Sequence, residues 1–593
     1  MFEKKLHRIG FFQSLATMLE KMGIVKPNKV YHRHSIWCLN IAQFCGVIND
    51  NLFKYLIVFL FIDLKGATSS SAILSIVGIV YVLPFLLFSM AAGVLADRFS
   101  KQRMIILLKV TEVLIMLLGA LALFFQSDLA SYSLMFLLSM QSAFFGPPKY
   151  SIIPELVPKE KISKANGIIT SFTYFGIIMG TFLATSLSQA SGKNYTLVAI
   201  IGVGIAIIGL AFSLFIPHTE PKSSTEKINP FFVIEIFNNL KLASKTPFLL
   251  TTIFGSASFL FIGAYFQLNI IPYAMDSLGF SQEAGGHLFL STSIGIAVGS
   301  ALAGKMCRDR PELGMATLSG VGLSILLMSL FFFDGLFIPI FIAILGIGLL
   351  GGIYIVPFDS FIQRYSPENK RGQVVAASNF LSFCGVLVAP ILLYVFTDIL
   401  GYSPAQGFLI MGVLILFSVG IMIMSLRGFF FSTFSKLFIK PFYNLVLDDV
   451  PVEKGTTYVM TVPKMSKLYL FLLATYNPRM EFFFPKSKKK YLDVFLNWFS
   501  PIQYLYVRKK HPNIMDLFQK KAKKAIWSKR VPYLVIPNEP DDKYQYSKKD
   551  LYTLKKMKPC RFIAMHVEVT PRHDQLDKKH LKRTRIHMRF NLH

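Results

Sequence analysis

Twelve times along its 593 residues the chain runs for roughly 20 predominantly apolar positions, the length that carries an α-helix across a hydrocarbon layer about 30 Å thick. A bilayer interior offers no water to backbone N–H and C=O groups, so such runs must form helices that bond their own backbone. They fall near residues 36–62, 72–96, 104–126, 131–154, 165–190, 195–217, 247–272, 284–304, 313–333, 336–360, 373–398 and 404–426. That makes two sets of six, separated by a polar stretch from His218 to Pro247. The expected fold class is an all-α polytopic membrane protein, and the 53% hydrophobic content exceeds that of ordinary soluble domains.

A formal charge of +29 would suit nucleic acid in a soluble chain. Here Lys and Arg sit in short loops or in the tail, a pattern that anionic lipid and insertion topology select, so membrane lipids and not nucleic acid are the expected partners. Alternate loops carry the charge: Arg98, Lys101 and Arg103; Lys159, Lys161 and Lys164; Lys222 and Lys227; Lys305, Arg308 and Arg310; Arg364, Lys370 and Arg371. The opposite loops hold Asp63, Asp128, Asp276, Asp334 and Asp398, with Lys65 and Lys193 as exceptions. Both termini are therefore expected in the cytoplasm. Residues 1–35 form a basic segment without the continuous apolar core of a cleaved signal peptide. Five scattered cysteines, with no C-x-x-C pair, suggest no disulfide framework, metal site or cofactor.

The chain then reads as a cytoplasmic segment (1–35), a six-helix half (36–217), a cytoplasmic linker (218–246), a second six-helix half (247–427) and a basic region (428–593). The apolar spacing in the linker fits a helix lying on the membrane surface, and a solvated linker helix fits equally. Beyond Arg427 the long apolar runs stop, and roughly +20 of the charge lies there. Strand-like segments at Thr456 to Val462, Arg479 to Phe484, Val531 to Ile536 and Arg561 to Val569 alternate with helical stretches such as Met515 to Trp527, which predicts a small α/β domain.

The loop after the second run reads Gly93-Val94-Leu95-Ala96-Asp97-Arg98-Phe99-Ser100-Lys101-Gln102-Arg103. Gly93 permits close helix approach, and Asp97 at a helix end can pair with cationic groups across an interface between halves, as a gate requires. An ordinary charge cluster at the membrane edge is the bland alternative. The loop resembles the signature G-x-L-a-D-r-x-G-r-r of the major facilitator superfamily, with Ser100 where that family usually has Gly. This implies a twelve-helix transporter fold. Pro148-Lys149-Tyr150-Ser151-Ile152-Ile153-Pro154-Glu155-x-x-Pro158 parallels Pro357-Phe358-Asp359-Ser360-Phe361-Ile362-Gln363-Arg364-x-x-Pro367, and Gly304-Lys305 with Arg308 and Arg310 stands where an eroded second copy of the Gly93 loop belongs. Two parallel repeats follow. Gly93, Asp97, Arg98, Lys101, Arg103, Glu155 and Arg364 are the gating candidates.

Ionisable residues inside apolar runs are costly and are transport-site candidates. Asp50 and Lys54 stand four apart on one face of the first helix, as a matched pair would; Lys109 and Glu112 stand three apart in the third; Lys149 lies near the end of the fourth. Each pair reads either as a substrate site or as a lock on helix packing. Asn49-Asp50-Asn51-Leu52-Phe53-Lys54 resembles the first-helix motif of the lysophospholipid transporter family. Gly146 to Glu155 with Asn166, and Pro357 to Asn379 with Arg371-Gly372, do so too, and Gly263 to Asn269 resembles the seventh-helix segment of a branch fused to acyltransferase modules. The resemblance implies carriage of lysophospholipid to the inner leaflet of the inner membrane for reacylation, with Asn49, Asp50, Asn51, Lys54, Lys109, Glu112, Lys149, Gln267 and Asn269 as site residues. A separate acyltransferase or acyl-carrier-protein synthetase is the protein partner it suggests. Asp50 would meet an ethanolamine ammonium, and Lys54 or Lys149 a phosphate.

In that fused branch an acyltransferase domain with a His-x-x-x-x-Asp motif follows the twelfth helix. The order here would be Tyr458 to Val462, Pro463 to Tyr469, Val535 to Glu539 and a terminal strand near Arg585 to Phe590, with no His or Asp in the matching stretch. Acyl transfer by that mechanism lacks its base, so a degenerate, non-enzymatic domain is expected. An unrelated basic accessory domain is the alternative. His566, His573 and His580 read as surface or packing histidines, and the basic runs 486–490, 520–524 and 578–585 suit an anionic membrane or plain solvent. A drug or metabolite carrier and a bifunctional transporter-acyltransferase stay open as other functions. There is no P-loop, so an ion gradient, the membrane potential or downhill flux would supply the energy.

Overall fold

The computed structural model describes residues 35–66, 70–221, 232–307, 310–333, 337–439, 443–448, 456–462, 479–486, 502–506, 514–527, 531–537, 560–570 and 584–592. Outside them lie residues 1–34, Lys222, Lys227, Arg308, Asp334, segment 463–469, Lys488 to Lys490, Asn538, Glu539, His573, His580 and the start of the last basic run. The chain divides into two compact units, Met1–Pro311 with Ser319–Leu416, and Glu312–Leu318 with Phe417–His593.

Among the described residues, twelve helices are long and apolar enough to cross a membrane, as the apolar runs predict. In the first half they are α1 (Ser35–Lys65), α2 (Ser70–Arg98), α3 (Lys101–Phe124), α4 (Asp128–Leu156), α5 (Ile162–Ala190) and α6 (Tyr195–Leu214). A shorter α7 (Phe232–Ser244) occupies the linker. The second half holds α8 (Leu249–Pro272), α9 (Gln282–Met306), α10 (Leu313–Ser329), α11 (Phe337–Tyr365), α12 (Arg371–Tyr394) and α13 (Pro404–Phe434). The twelfth run was expected to end at residue 426. The backbone does leave helical geometry at Leu426, and a further helical stretch continues to Phe434.

Leu52, Phe53 and Leu56 of α1 are fully buried against Met116 and Leu123 of α3, Leu138 of α4 and Val198 of α6. Outward-facing apolar side chains such as Ile79, Phe124 and Ile338 are more than 60% exposed, a state that only a lipid environment makes favourable. Lys65 and Lys193, the two exceptions to the loop-charge alternation, are neutralised at their own end. Lys65 pairs with Asp128, and Lys193 Nζ stands 2.8 Å from Asp63, which also accepts from the Tyr195 hydroxyl.

Lipid tails are as apolar as leucine, so membrane helices bind one another through close packing. In α9, Gly295 and Gly299 face Gly348 and Gly352 of α11. A Cβ at Gly299 would lie 2.0 Å from the Leu349 carbonyl oxygen, and one at Gly348 would lie 2.1 Å from that of Thr292. The two backbones touch with no room for a side chain.

The linker helix α7 is neither wholly solvated nor merely surface-bound. Its buried Ile236 clusters with Met90 of α2 and Ala376 and Ala377 of α12, with Leu240 and Phe380 packed alongside, while Ile234 and Phe237 stay exposed. One helix thus touches both halves.

In the second unit, β1 (Tyr443–Asp448), β2 (Thr457–Val462), β3 (Met480–Lys486), β4 (Ile502–Tyr506), β5 (Val531–Pro537), β6 (Cys560–Thr570) and β7 (Thr584–Leu592) form one sheet in the order β1-β7-β6-β2-β5-β3-β4. All neighbours are parallel except β6 and β7. Tyr458 stacks on Tyr533 across β2 and β5 at 5.1 Å, and Phe518 of α14 (Ile514–Trp527) meets Phe483 of β3 edge-on. Arg427, just past the kink in α13, pairs with Glu481 of β3.

Gly299→Leu is expected to abolish monodisperse elution from detergent, because its side chain would enter the α11 backbone. Gly204→Ala, where nothing lies within 4 Å, should elute as wild type.

Candidate functional site

Three polar features interrupt the apolar bundle, and they differ in what holds them. The first joins the halves at the end that carries the Lys- and Arg-rich loops, called here the basic end. Asp97, fully buried in the last turn of α2, accepts from the backbone N–H groups of Gly372 (2.7 Å) and Gln373 (3.0 Å) at the start of α12. The expected partner was a cationic side chain. The structure supplies a helix N-terminus as the hydrogen-bonding partner, whose unsatisfied N–H groups and dipole favour an anion, with Arg371 of the same helix and Lys101 within electrostatic reach. Gly93, one turn earlier, makes this contact possible, since a Cβ there would lie 2.8 Å from the Gly372 carbonyl oxygen.

On the other side of the interface Asn166 of α5 and Gln363 of α11 exchange two amide hydrogen bonds, each 2.8 Å, and Asn166 also donates to Ser360 Oγ. Gly167 lies against Ser300 and Gly304 of α9. Arg364 donates to the Lys159 carbonyl at 3.0 Å, a third link between halves. Of the other gating candidates, Lys101 is buried and ion-paired with Glu155 at 2.8 Å, a bond inside the first half. Ser100 caps α3 by accepting from the Arg103 N–H, which accounts for a serine where glycine is usual. Arg98 is half-buried at the end of α2.

The second feature is enclosed. Lys109 and Glu112 are each about 1% exposed, their charged atoms are 2.6 Å apart, and Asn49 Nδ2 donates to the other carboxylate oxygen. Gly46 leaves room for the ammonium, since a Cβ there would lie 2.7 Å from Lys109 Nζ.

The third is half-buried. Asp50 and Lys54, expected to pair, bond to different neighbours. Asp50 accepts from Ser142 Oγ at 2.8 Å, and Lys54 donates to Asn51 Oδ1 at 3.1 Å with its ammonium over the Tyr55 and Tyr81 rings. Lys149 rests over Tyr150 at 4.4 Å, within electrostatic reach of Asp50 and of Asp359 in α11. Asp359 accepts from Ser256 Oγ at 2.8 Å and lines a cavity of about 140 Å³ between the halves, with Tyr150, Tyr174, Phe259 and Gln363. The sequence reading missed Asp359 and Gln363. An acidic residue two positions after Pro357 inside an apolar run was the signal for the first; nothing distinguishes Gln363. Asn269 is committed to packing, donating to the Pro404 carbonyl at 2.8 Å, and Gln267 is exposed on α8 with no place in the cavity lining.

Removing one partner of a buried ion pair costs about 3–5 kcal/mol, whereas removing both is often neutral. Lys109→Met alone is therefore expected to lower the yield of folded protein sharply, and the double variant Lys109→Met with Glu112→Gln to restore most of it, as read by size-exclusion profile and thermal unfolding in detergent.

The model of the Major Facilitator Superfamily matches residues 39–390. The lysophospholipid transporter LplT of Escherichia coli O1:K1 / APEC is 25% identical over 364 residues, 59% of this chain and 87% of that one. LplT of Citrobacter koseri is 25% identical over 368 residues, covering 59% and 86%. Among solved structures, the human organic anion transporter MFSD10 (TETRAN) is similar at a TM-score of 0.52 and 14% identity over 66% of this chain and all of that one. The E. coli fucose:proton symporter FucP is similar at 0.52 and 15% over 65% and 96%. Two six-helix halves in contact at the Gly93 to Arg103 turn, within a matched span of more than half the chain, give the conclusion that this chain belongs to the Major Facilitator Superfamily and is a multi-pass membrane transporter.

Proposed function

We propose that this transporter moves lysophospholipids such as lysophosphatidylethanolamine across the inner (cytoplasmic) membrane to its cytoplasmic leaflet, where a separate acyltransferase or acyl-carrier-protein synthetase reacylates them. The observation that carries the reading is the half-buried set Asp50, Lys54 and Lys149, lying in the span matched by the superfamily model, in a chain 25% identical over 364 residues to a protein named lysophospholipid transporter. A lysolipid presents a small charged head and one acyl chain. Charged groups of both signs within the apolar bundle match that chemistry. Lys149 or Lys54 meets the phosphate, and a half-buried carboxylate such as Asp50 or Asp359 meets the ammonium.

In this reading the basic end and both termini face the cytoplasm, and the bonds of Asp97, Asn166 and Arg364 are the cytoplasmic gate. Release into the inner leaflet requires the halves to rock apart there. Each hydrogen bond to the Asp97 carboxylate contributes about 1.5–3 kcal/mol net, so substrate binding must offset a few kcal/mol to open the gate. Gln363 both lines the cavity and bonds to Asn166, which gives an occupant of the cavity a direct hold on the lock.

The second unit reads as a degenerate acyltransferase-like domain without enzymatic activity. Its largely parallel sheet supports this.

Proteoliposomes holding the protein should take up labelled lysophosphatidylethanolamine faster than empty ones, and equal rates overturn the reading. Asp97→Asn removes the charge on the α12 N-terminus while keeping the side chain's size. Uptake by that variant should fall roughly tenfold or more, with folded protein still accumulating in the membrane. The purified full chain should transfer no acyl group from acyl-CoA or acyl-carrier protein to lysolipid; measurable transfer would make the protein bifunctional.

A further inference from the structure

The cavity between the halves is lined by fifteen residues, and one of them is charged. That residue is Asp359, held on α11 by the Ser256 hydroxyl of α8. Around it stand aromatic rings from both halves. Tyr150 of α4 and Tyr174 of α5 lie within electrostatic reach of the carboxylate, and Phe259 of α8 meets Tyr174 edge-on with ring centroids 6.2 Å apart. The rest of the lining is neutral: threonines, serines, amides and aliphatic side chains. A carboxylate in the membrane interior is costly unless a cation or a set of hydrogen bonds compensates it. Ring faces add a negative quadrupole that attracts cations and gives nothing to anions. The lysines of the first half do not line this space, although Lys149 lies close enough to interact with Asp359 electrostatically.

We propose that Asp359, Tyr150, Tyr174 and Phe259 form an ammonium-binding subsite that receives the cationic part of a zwitterionic lipid head group. The inference rests on the lysophospholipid reading and deepens it. The second half supplies the carboxylate, the first half supplies two of the rings, and Lys149, over the Tyr150 ring, is left to face the phosphate a few bonds away in the same head group. Such a subsite discriminates by head-group charge. A lysolipid with an ethanolamine head fills it, while one with an uncharged glycerol head leaves Lys149 as the cation acting on the carboxylate.

The test compares uptake of two labelled lysolipids, with ethanolamine and with glycerol head groups, in proteoliposomes with rates taken per folded protein. Wild type should favour the ethanolamine lipid. Asp359→Asn should lower ethanolamine-lipid uptake about tenfold or more and leave glycerol-lipid uptake within about twofold, erasing the preference. Tyr174→Leu, which keeps the charge and removes a ring, should reduce the same preference by a smaller factor, and carries the test if Asp359→Asn does not fold. An equal fall for both lipids in either variant, or a preference that survives in both, overturns the subsite. A change confined to dependence on an imposed pH gradient, with head-group preference intact, also overturns it by making Asp359 a proton carrier. Wild-type protein that moves neither lipid instead overturns the transport reading on which the subsite rests.

Discussion

Absence of water in the bilayer interior sets the terms for every polar group within the membrane-spanning bundle. A charge there must find its partner within the bundle, and several buried groups have done so: Lys109 with Glu112 and Asn49, Lys101 with Glu155, Asp97 with the start of α12. Backbone groups bond within their helices, which frees the helices to approach as closely as glycine allows at Gly295, Gly299, Gly348 and Gly352. Against this background the half-buried charges stand apart. Asp50, Lys54, Lys149 and Asp359 lean on hydroxyls, one amide and aromatic rings, without a tight side-chain ion pair of the Lys109–Glu112 kind. Neutral contacts leave their charges available to a ligand.

Cavity and lock share material. Gln363 faces the cavity and holds Asn166 of the opposite half, and Tyr150, one residue from Lys149, lines the same space. Helix α7 adds a mechanical link, because the chain between the halves packs on both α2 and α12 through Ile236. A rocking motion that separates α2 from α12 must also repack this helix.

Much of the fold was legible in the sequence because its strongest signal, apolar length, comes directly from the solvent. Lys65 and Lys193 broke the charge pattern for a local reason, pairing with Asp128 and Asp63, that no count of loop residues reveals. In the second unit the inner strands β2, β3, β5, β6 and β7 were all anticipated, whereas β1 and β4 were not; those two are the edges of the sheet, short and with one side unpaired. The site was less legible. Intramembrane charges could be picked out by cost alone, yet four-residue spacing puts Asp50 and Lys54 within electrostatic reach of one another without revealing that each takes its hydrogen bond from another residue. A partner on another helix, such as Ser142 or Ser256, leaves no trace in local spacing.

The contact of Asp97 with backbone has a consequence for how such a protein can change over time. Side-chain partners constrain each other, so a pair of that kind drifts in a correlated way. The groups that receive Asp97 are the N–H bonds of Gly372 and Gln373, which any residue except proline supplies. What the second half must preserve is a helix that starts at that point and a residue small enough at Gly372 for α2 to come near, its Cβ position lying 2.7 Å from the Gly93 carbonyl oxygen. Identity at Gln373 is free as far as this bond is concerned. One half of the carrier therefore stores the lock in a side chain and the other stores it in a shape, and correlated substitution between the two halves would pass over the contact that joins them.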